Sequence, residues 1–288
     1  MANNLDGAML TTLTIRKWQA KCRDREVLSF VENHYEAKKG NMSLVKKLVP
    51  DFYVRPINFA AQTGRLEHYK YTVPGIRQGM HLLSTELWDE YVKKQRVIKA
   101  SFTDAVEIFL ENYDAIIEDA PNLLGKTFKE ADFPSKAAVK SHFDYDLQFM
   151  PVPNIHDWRL QGIEGDEVEA IKASVEEDIQ QMYHDATAEL INRATFTMDK
   201  LYEQIVTFDP KTGGAKLRDA TIEHAREIAR LTVDMNTTKD PDLDSAGKQM
   251  MEQLEGVESE SLRTDPAARK SLAASFQELS AKLKSAEK

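Results

Sequence analysis

Twelve apolar residues between Val168 and Phe208 recur at the helical period, and they constrain the fold of this chain more than any other feature. They are Val168, Ile171, Val175, Ile179, Met182, Ala186, Leu190, Ala194, Met198, Leu201, Ile205 and Phe208. Eleven steps cover 40 residues, about 3.6 residues per step. No Pro or Gly interrupts them. At a rise of about 1.5 Å per residue such a helix reaches about 60 Å. A second stripe precedes it: Leu87, Tyr91, Ile98, Phe102, Val106, Phe109, Tyr113 and Ile117. Both stripes must be buried. The simplest solution packs them together as a long antiparallel hairpin, 84–120 against 165–207. The spacing is nearer 3.6 than 3.5, so it does not demand an extended left-handed coiled coil.

Shorter elements surround these helices. Residues 10–18, LTTLTIRKW, read as a strand. Asp24 is placed to cap a helix through Val27, Leu28, Val31 and Tyr35, stopped at Gly40. Leu44, Val45, Leu48 and Val49 suggest a short helical turn before Pro50, and a further helix is expected from Pro56 to Tyr69. Ser84 is a cap candidate for the first long helix, which should end before Pro121. Phe143, Tyr145, Leu147 and Phe149 alternate as a strand with one buried face, and 157–160 suggests another. A third helix is expected at 218–235. Asp265-Pro266 opens a last helix with a thin apolar face, which needs a partner. The expected fold is α+β and predominantly α-helical, a long antiparallel helical hairpin with a small β-sheet at its root. Residues 1–83 form a basic N-terminal region, which shares one domain with the hairpin and its Pro-rich link, residues 84–240. Residues 241–288 form a polar helical tail.

Charge and cysteine usage narrow the function classes. Residues 1–80 hold 13 Lys/Arg and 7 Asp/Glu, while the remainder holds 25 and 40. The acidic remainder should repel nucleic acid, so any nucleic-acid contact would use the N-terminal region. No apolar run approaches the ~20 residues of a membrane span, and MANNLDGAML lacks the pattern of a signal peptide. The single cysteine, Cys22, fits a reducing cytosolic setting.

No motif points to chemistry. There is no Walker A pattern, no GxGxxG after a strand and no GxSxG. The basic neighbours Lys21 and Arg23 could activate Cys22, but no His or acid partner lies beside it, and an inert thiol is the better reading. Seven dispersed histidines form neither HExxH nor an i, i+4 pair. The expected catalytic, cofactor and metal residues are therefore none, and the expectation leans away from an enzyme.

The richest stretch for recognition runs through 51–77. Arg55, Arg65, His68, Tyr69, Lys70, Tyr71 and Arg77 interleave basic and aromatic groups, a composition able to hold phosphates and stack bases. The competing reading places Phe52, Phe59 and Tyr69 in the core and pairs the arginines with acids elsewhere. The acid excess in the rest of the chain favours it.

Three blocks resemble a known family. They are Arg65-x-x-His-Tyr-x-x-x-Thr-Val-Pro-Gly with Gly79-x-x-Leu-Leu and Tyr91; Asp132-Phe-Pro-Ser through Phe143, Phe149-x-Pro-Val-Pro and Asp157-Trp-Arg; and Met235-Asn with Asp240-Pro-x-Leu. Together they resemble a domain of unknown function widespread in tailed bacteriophages and some bacteria, over about residues 8–245. The genes of that family often stand near a MoxR-like AAA+ ATPase or a cobaltochelatase-like subunit. The resemblance implies a protein of the infected bacterial cytoplasm that partners a ring ATPase. Lacking a Walker motif, this chain would be the adaptor or substrate. The family carries no established catalytic residues to transfer.

The sequence thus predicts a non-enzymatic phage protein acting by protein–protein contact, with an AAA+ ATPase or with itself as an oligomer. The alternative is a single-stranded nucleic-acid protein of phage replication or recombination. No membrane partner is expected. The recognition surface is expected at Arg55, Arg65, Tyr69, Lys70, Tyr71, Arg77, Asp157, Trp158 and Arg159.

Overall fold

The computed structural model describes residues 7–153, 166–209 and 217–286. In chain order the elements are β1 (Ala8–Arg16), β2 (Lys21–Arg23), α1 (Arg25–His34), β3 (Val45–Lys47), α2 (Asp51–Tyr71), β4 (Val73–Pro74) and β5 (His81–Ser84). There follow α3 (Trp88–Glu111), α4 (Tyr113–Leu124), α5 (Lys136–Lys140) and β6 (Asp144–Pro151). The chain ends in α6 (Asp166–Val206), α7 (Asp219–Asp234), α8 (Pro241–Leu254), α9 (Ser259–Thr264) and α10 (Pro266–Ala286). The class is α+β and predominantly helical. One sheet has the order β4-β5-β1-β6, so the two strands expected near 10–18 and 143–149 are neighbours. β1 and β5 run antiparallel, with Leu10 opposite Leu82.

Contacts divide the chain into two compact units. The first comprises Met1–Thr12, Tyr69–Tyr91 and Gln148–Lys288. Here α6 fulfils the long-helix expectation, with 41 residues. Within its unit α6 packs against α10, α7 and α8, while the 84–120 arm falls largely in the other unit. The last helix supplies what the stripe needs: Leu272, Phe276, Leu279 and Leu283 are buried, as are Ala194, Met198, Leu201 and Ile205 of α6. Polar contacts fix the register. Ser280 Oγ donates to Asp199 Oδ1 at 2.7 Å, and Lys284 Nζ meets Asp199 Oδ2 at 2.6 Å. The polar tail is thus ordered, opened as expected by Asp265, whose Oδ1 accepts from the amides of Ala267 and Ala268. The α7–α8 crossing is close. A Cβ on Gly247 would stand 2.6 Å from Val233 Cγ2 and 3.2 Å from the Ala229 carbonyl oxygen.

The second unit comprises Leu13–His68 and Val92–Leu147. Its core gathers Ile57, Ala60 and Ala61 of α2 with Phe102, Phe109 and Tyr113, and with Tyr145 of β6. The Trp18 ring lies 6.1 Å from that of Phe109 and 5.9 Å from that of Tyr113, the tilted geometry aromatic pairs prefer. Asp24 caps α1 as expected, accepting from the Val27 amide at 3.1 Å.

Three local expectations are corrected here. Residues 45–47 form β3, paired with β2, and not a helical turn. Pro50 biases Val49 to extended backbone, and the strand turns Lys46 inward between Asp24 at 3.2 Å and Asp132 at 2.6 Å. The helix expected from Pro56 begins at Asp51. Pro56 removes the amide that would meet the Phe52 carbonyl, but it lies on the exposed side, where water can serve that oxygen. The first long helix divides at Asn112 into α3 and α4, and α4 continues through Pro121 to Leu124. The strand expected at 157–160 lies outside the described residues.

Candidate recognition surface

Helix α2 is inverted relative to an ordinary amphipathic helix. Its inward positions are Ile57, Ala60, Ala61, Gly64 and His68, mostly small and all buried. Its outward positions are Phe52, Arg55, Phe59, Gln62 and Leu66, spaced by 3, 4, 3 and 4 residues. Phe52 is 62% exposed, Phe59 71% and Leu66 60%. A helix that buries alanine and glycine while exposing phenylalanine and leucine places its largest apolar groups where only another molecule can cover them.

The inner face explains the orientation. Gly64 admits Tyr145 of β6, whose ring carbon Cζ would stand 3.0 Å from a Cβ at that position. Gln95 of α3 donates from Nε2 to the Gly64 carbonyl at 3.1 Å and accepts from the Tyr145 hydroxyl. Burial pushes the Tyr145 hydroxyl up to about 12, so it stays a donor. Arg65, beside this cluster, gives Nη2 to the Ile15 carbonyl at 2.7 Å. These contacts lock α2 down by its small face and leave the large one outside.

The cations around the outer face are mostly engaged. Lys17 meets Asn58, and Lys47 meets Asp51 at 2.6 Å. The hydrogen bond from Lys47 holds the Asp51 carboxyl below its usual range. Glu67 pairs with Lys94. Arg55 has neither a hydrogen bond nor an ion pair within the described residues, and it sits one turn from Phe52 and one from Phe59.

The sequence-expected surface separates into parts. Arg55 and Arg65 lie in the second unit. Tyr69, Lys70, Tyr71 and Arg77 lie in the first. Tyr69 is half-exposed, with its ring 5.2 Å from that of His81. Lys70 pairs with Glu227, and Tyr71 is fully buried with its hydroxyl on Glu90, which also pairs with Arg230. Arg77 is exposed in the turn before β5. Asp157, Trp158 and Arg159 lie outside the described residues. Neither reading of the 51–77 stretch holds whole: Phe52, Phe59 and Tyr69 are not core, yet Arg65, Lys70 and Tyr71 do structural work. The residues missed as surface are Phe52, Phe59, Gln62 and Leu66, and the signal was their 3-4-3-4 spacing.

No family model, curated protein or solved structure matches this chain.

Other places suited to chemistry are neutralised by their neighbours. An open groove of about 630 Å³ in the first unit is lined by Ser84, Glu86, Asp234, Asn236, Lys239 and Asp244. Of its three acids, Asp234 and Asp244 pair with Arg230 and Lys248, and Glu86 is exposed. Burial, then Asp132, pushes the Cys22 thiol up, which keeps it protonated. No group of three or more His, Cys, Asp or Glu is placed to hold a metal ion among the described residues. No helix of the described residues is long and apolar enough to cross a membrane.

Proposed function

We propose that this chain is a non-enzymatic docking protein that binds a protein partner through the outer face of α2. The observation that carries this reading is the inversion of α2: Phe52, Phe59 and Leu66 exposed in one line, over Ala60, Ala61 and Gly64 buried beneath. Large apolar side chains in line on a rigid helix supply contact area at low ordering cost. The resemblance of the Arg65, Asp132 and Met235 blocks to the phage family supports a ring ATPase of the AAA+ type as that partner, in an infected bacterial cell.

Single-stranded nucleic acid fits the same aromatics less well. Binding a phosphate backbone needs several available cations. Around this face Lys17, Lys47 and Arg65 are held by protein groups, which leaves Arg55 and the exposed Lys21 among the described residues.

The test compares proteins captured by the tagged wild-type chain with those captured by Phe59→Asp, alongside an oligothymidylate titration at low salt. The reading expects a discrete protein on the wild type that the variant loses, with no Arg55-dependent DNA binding. Identical captures from both chains, or DNA binding abolished by Arg55→Ala, would overturn it.

A further inference from the structure

The charge on the α2 face selects the kind of partner, an inference that rests on the docking reading above. Five outward residues at 3-4-3-4 spacing make a seam of two heptads, about 21 Å long at about 1.5 Å per residue. A seam of this period accepts the matching period of another helix. A peptide binding by strand addition would need an unpaired sheet edge, which a helix face does not offer.

The seam lies in a stretch of the chain with a cationic surplus. Segment 13–68 carries 11 Lys/Arg against 6 Asp/Glu. The two acids on α2 are engaged, Asp51 by Lys47 and Glu67 by Lys94. Arg55, between Phe52 and Phe59, feels the Asp51 charge one turn away but makes no hydrogen bond or ion pair with it or with any other described residue. Whatever covers those two rings also removes water from the guanidinium. A desolvated guanidinium without a carboxylate is strongly unfavourable, whereas a facing carboxylate gives a charge-assisted, two-pronged hydrogen bond.

A second copy of α2 cannot supply that carboxylate. Antiparallel pairing centred on Phe59 sets Arg55 against Gln62 and Thr63. Parallel pairing sets Arg55 against Arg55. Neither arrangement neutralises the buried charge.

We infer that the outer face of α2 receives an acidic amphipathic helix of a different protein, with apolar residues at a/d spacing over Phe52, Phe59 and Leu66 and a carboxylate over Arg55. The charge surplus of segment 13–68 makes the flanks of such a helix acidic as well.

Two synthetic peptides test this, each about three heptads long with leucine at every a and d position. One carries Glu and the other Lys at the positions flanking the seam, and circular dichroism confirms that both are helical. Each is labelled and titrated by fluorescence anisotropy with the full chain and with Phe59→Asp and Arg55→Glu. The acidic peptide should bind at least about tenfold tighter than the basic one. Phe59→Asp should weaken it at least about tenfold, and Arg55→Glu should reverse the preference. Equal binding of the two peptides, failure of the acidic peptide to bind, or an unchanged preference in Arg55→Glu would overturn the acidic-helix inference. If Phe59→Asp still abolishes peptide binding or the capture described above, the docking face survives that result. If Phe59→Asp changes neither, both fall.

Discussion

Phe59 and Gly64 sit on opposite sides of one helix, and their substitutions should behave in opposite ways. Phe59 touches mostly water, so Phe59→Ser should leave stability within about 0.5 kcal/mol in a denaturant titration while removing partner binding. Gly64 faces the Tyr145 ring, so Gly64→Ala must push β6 or α2 aside and should cost about 1–3 kcal/mol. Charge at the residue scale is tested by pH. The Val27 amide, with help from Lys46, holds the Asp24 carboxyl below its usual value. A depressed carboxylate contributes stability that is complete above its unfolded value, about 3.9, and is lost as pH falls through the lower folded value. Asp24→Asn should therefore lower the melting temperature at neutral pH, and the gap from wild type should close below about pH 4. The basic–aromatic run shows why residue types alone misplace a surface. Arg55, Arg65, Lys70 and Tyr71 look equivalent in a string, but rotation along α2 turns Arg55 outward, Arg65 toward the Ile15 carbonyl and Tyr71 into the interior.

Among the elements, what was legible follows from local periodicity and what was hidden follows from partner choice. The α6 stripe predicted a helix within a residue or two of the observed ends, and the Asp24, Ser84 and Asp265 caps marked helix starts at the right places. A stripe does not say what covers it. Within its unit α6 packs on α10, whose thin apolar face suggests only a need for some partner. The reason is visible in α10 itself: Phe276 is fully buried and Ser280 and Lys284 both reach Asp199. Phe276→Ala should cost about 3–5 kcal/mol, read by denaturant titration, and should expose α10 to protease before the rest of its unit. The β3 segment was hidden for another reason. Its apolar pattern fits a helical turn as well as a strand, and the decision came from long-range ion pairs of Lys46 with Asp24 and Asp132.

Across the whole molecule, charge is partitioned by fold as well as by sequence order. The second unit carries 19 Lys/Arg and 16 Asp/Glu, and the first carries 19 and 31. The basic N-terminal region joins Val92–Leu147, a grouping no contiguous reading of the chain suggests. The unit bearing the α2 face is thus the one that an acidic partner can approach, while the rest of the molecule repels it. Because few cations at that face are available, added salt should weaken partner binding only modestly, with a logarithmic slope well below the steep slope of a protein that neutralises many phosphates. The central claim is that the outer face of α2 is the docking face of this molecule. A photo-crosslinking amino acid placed singly at Phe52, Phe59 and Leu66, with exposed Val97 and Phe196 as controls, reads it most directly. The account predicts one discrete protein adduct from the three α2 positions and none from the controls. Adducts of equal yield at all five positions, or adducts at the controls alone, would contradict it.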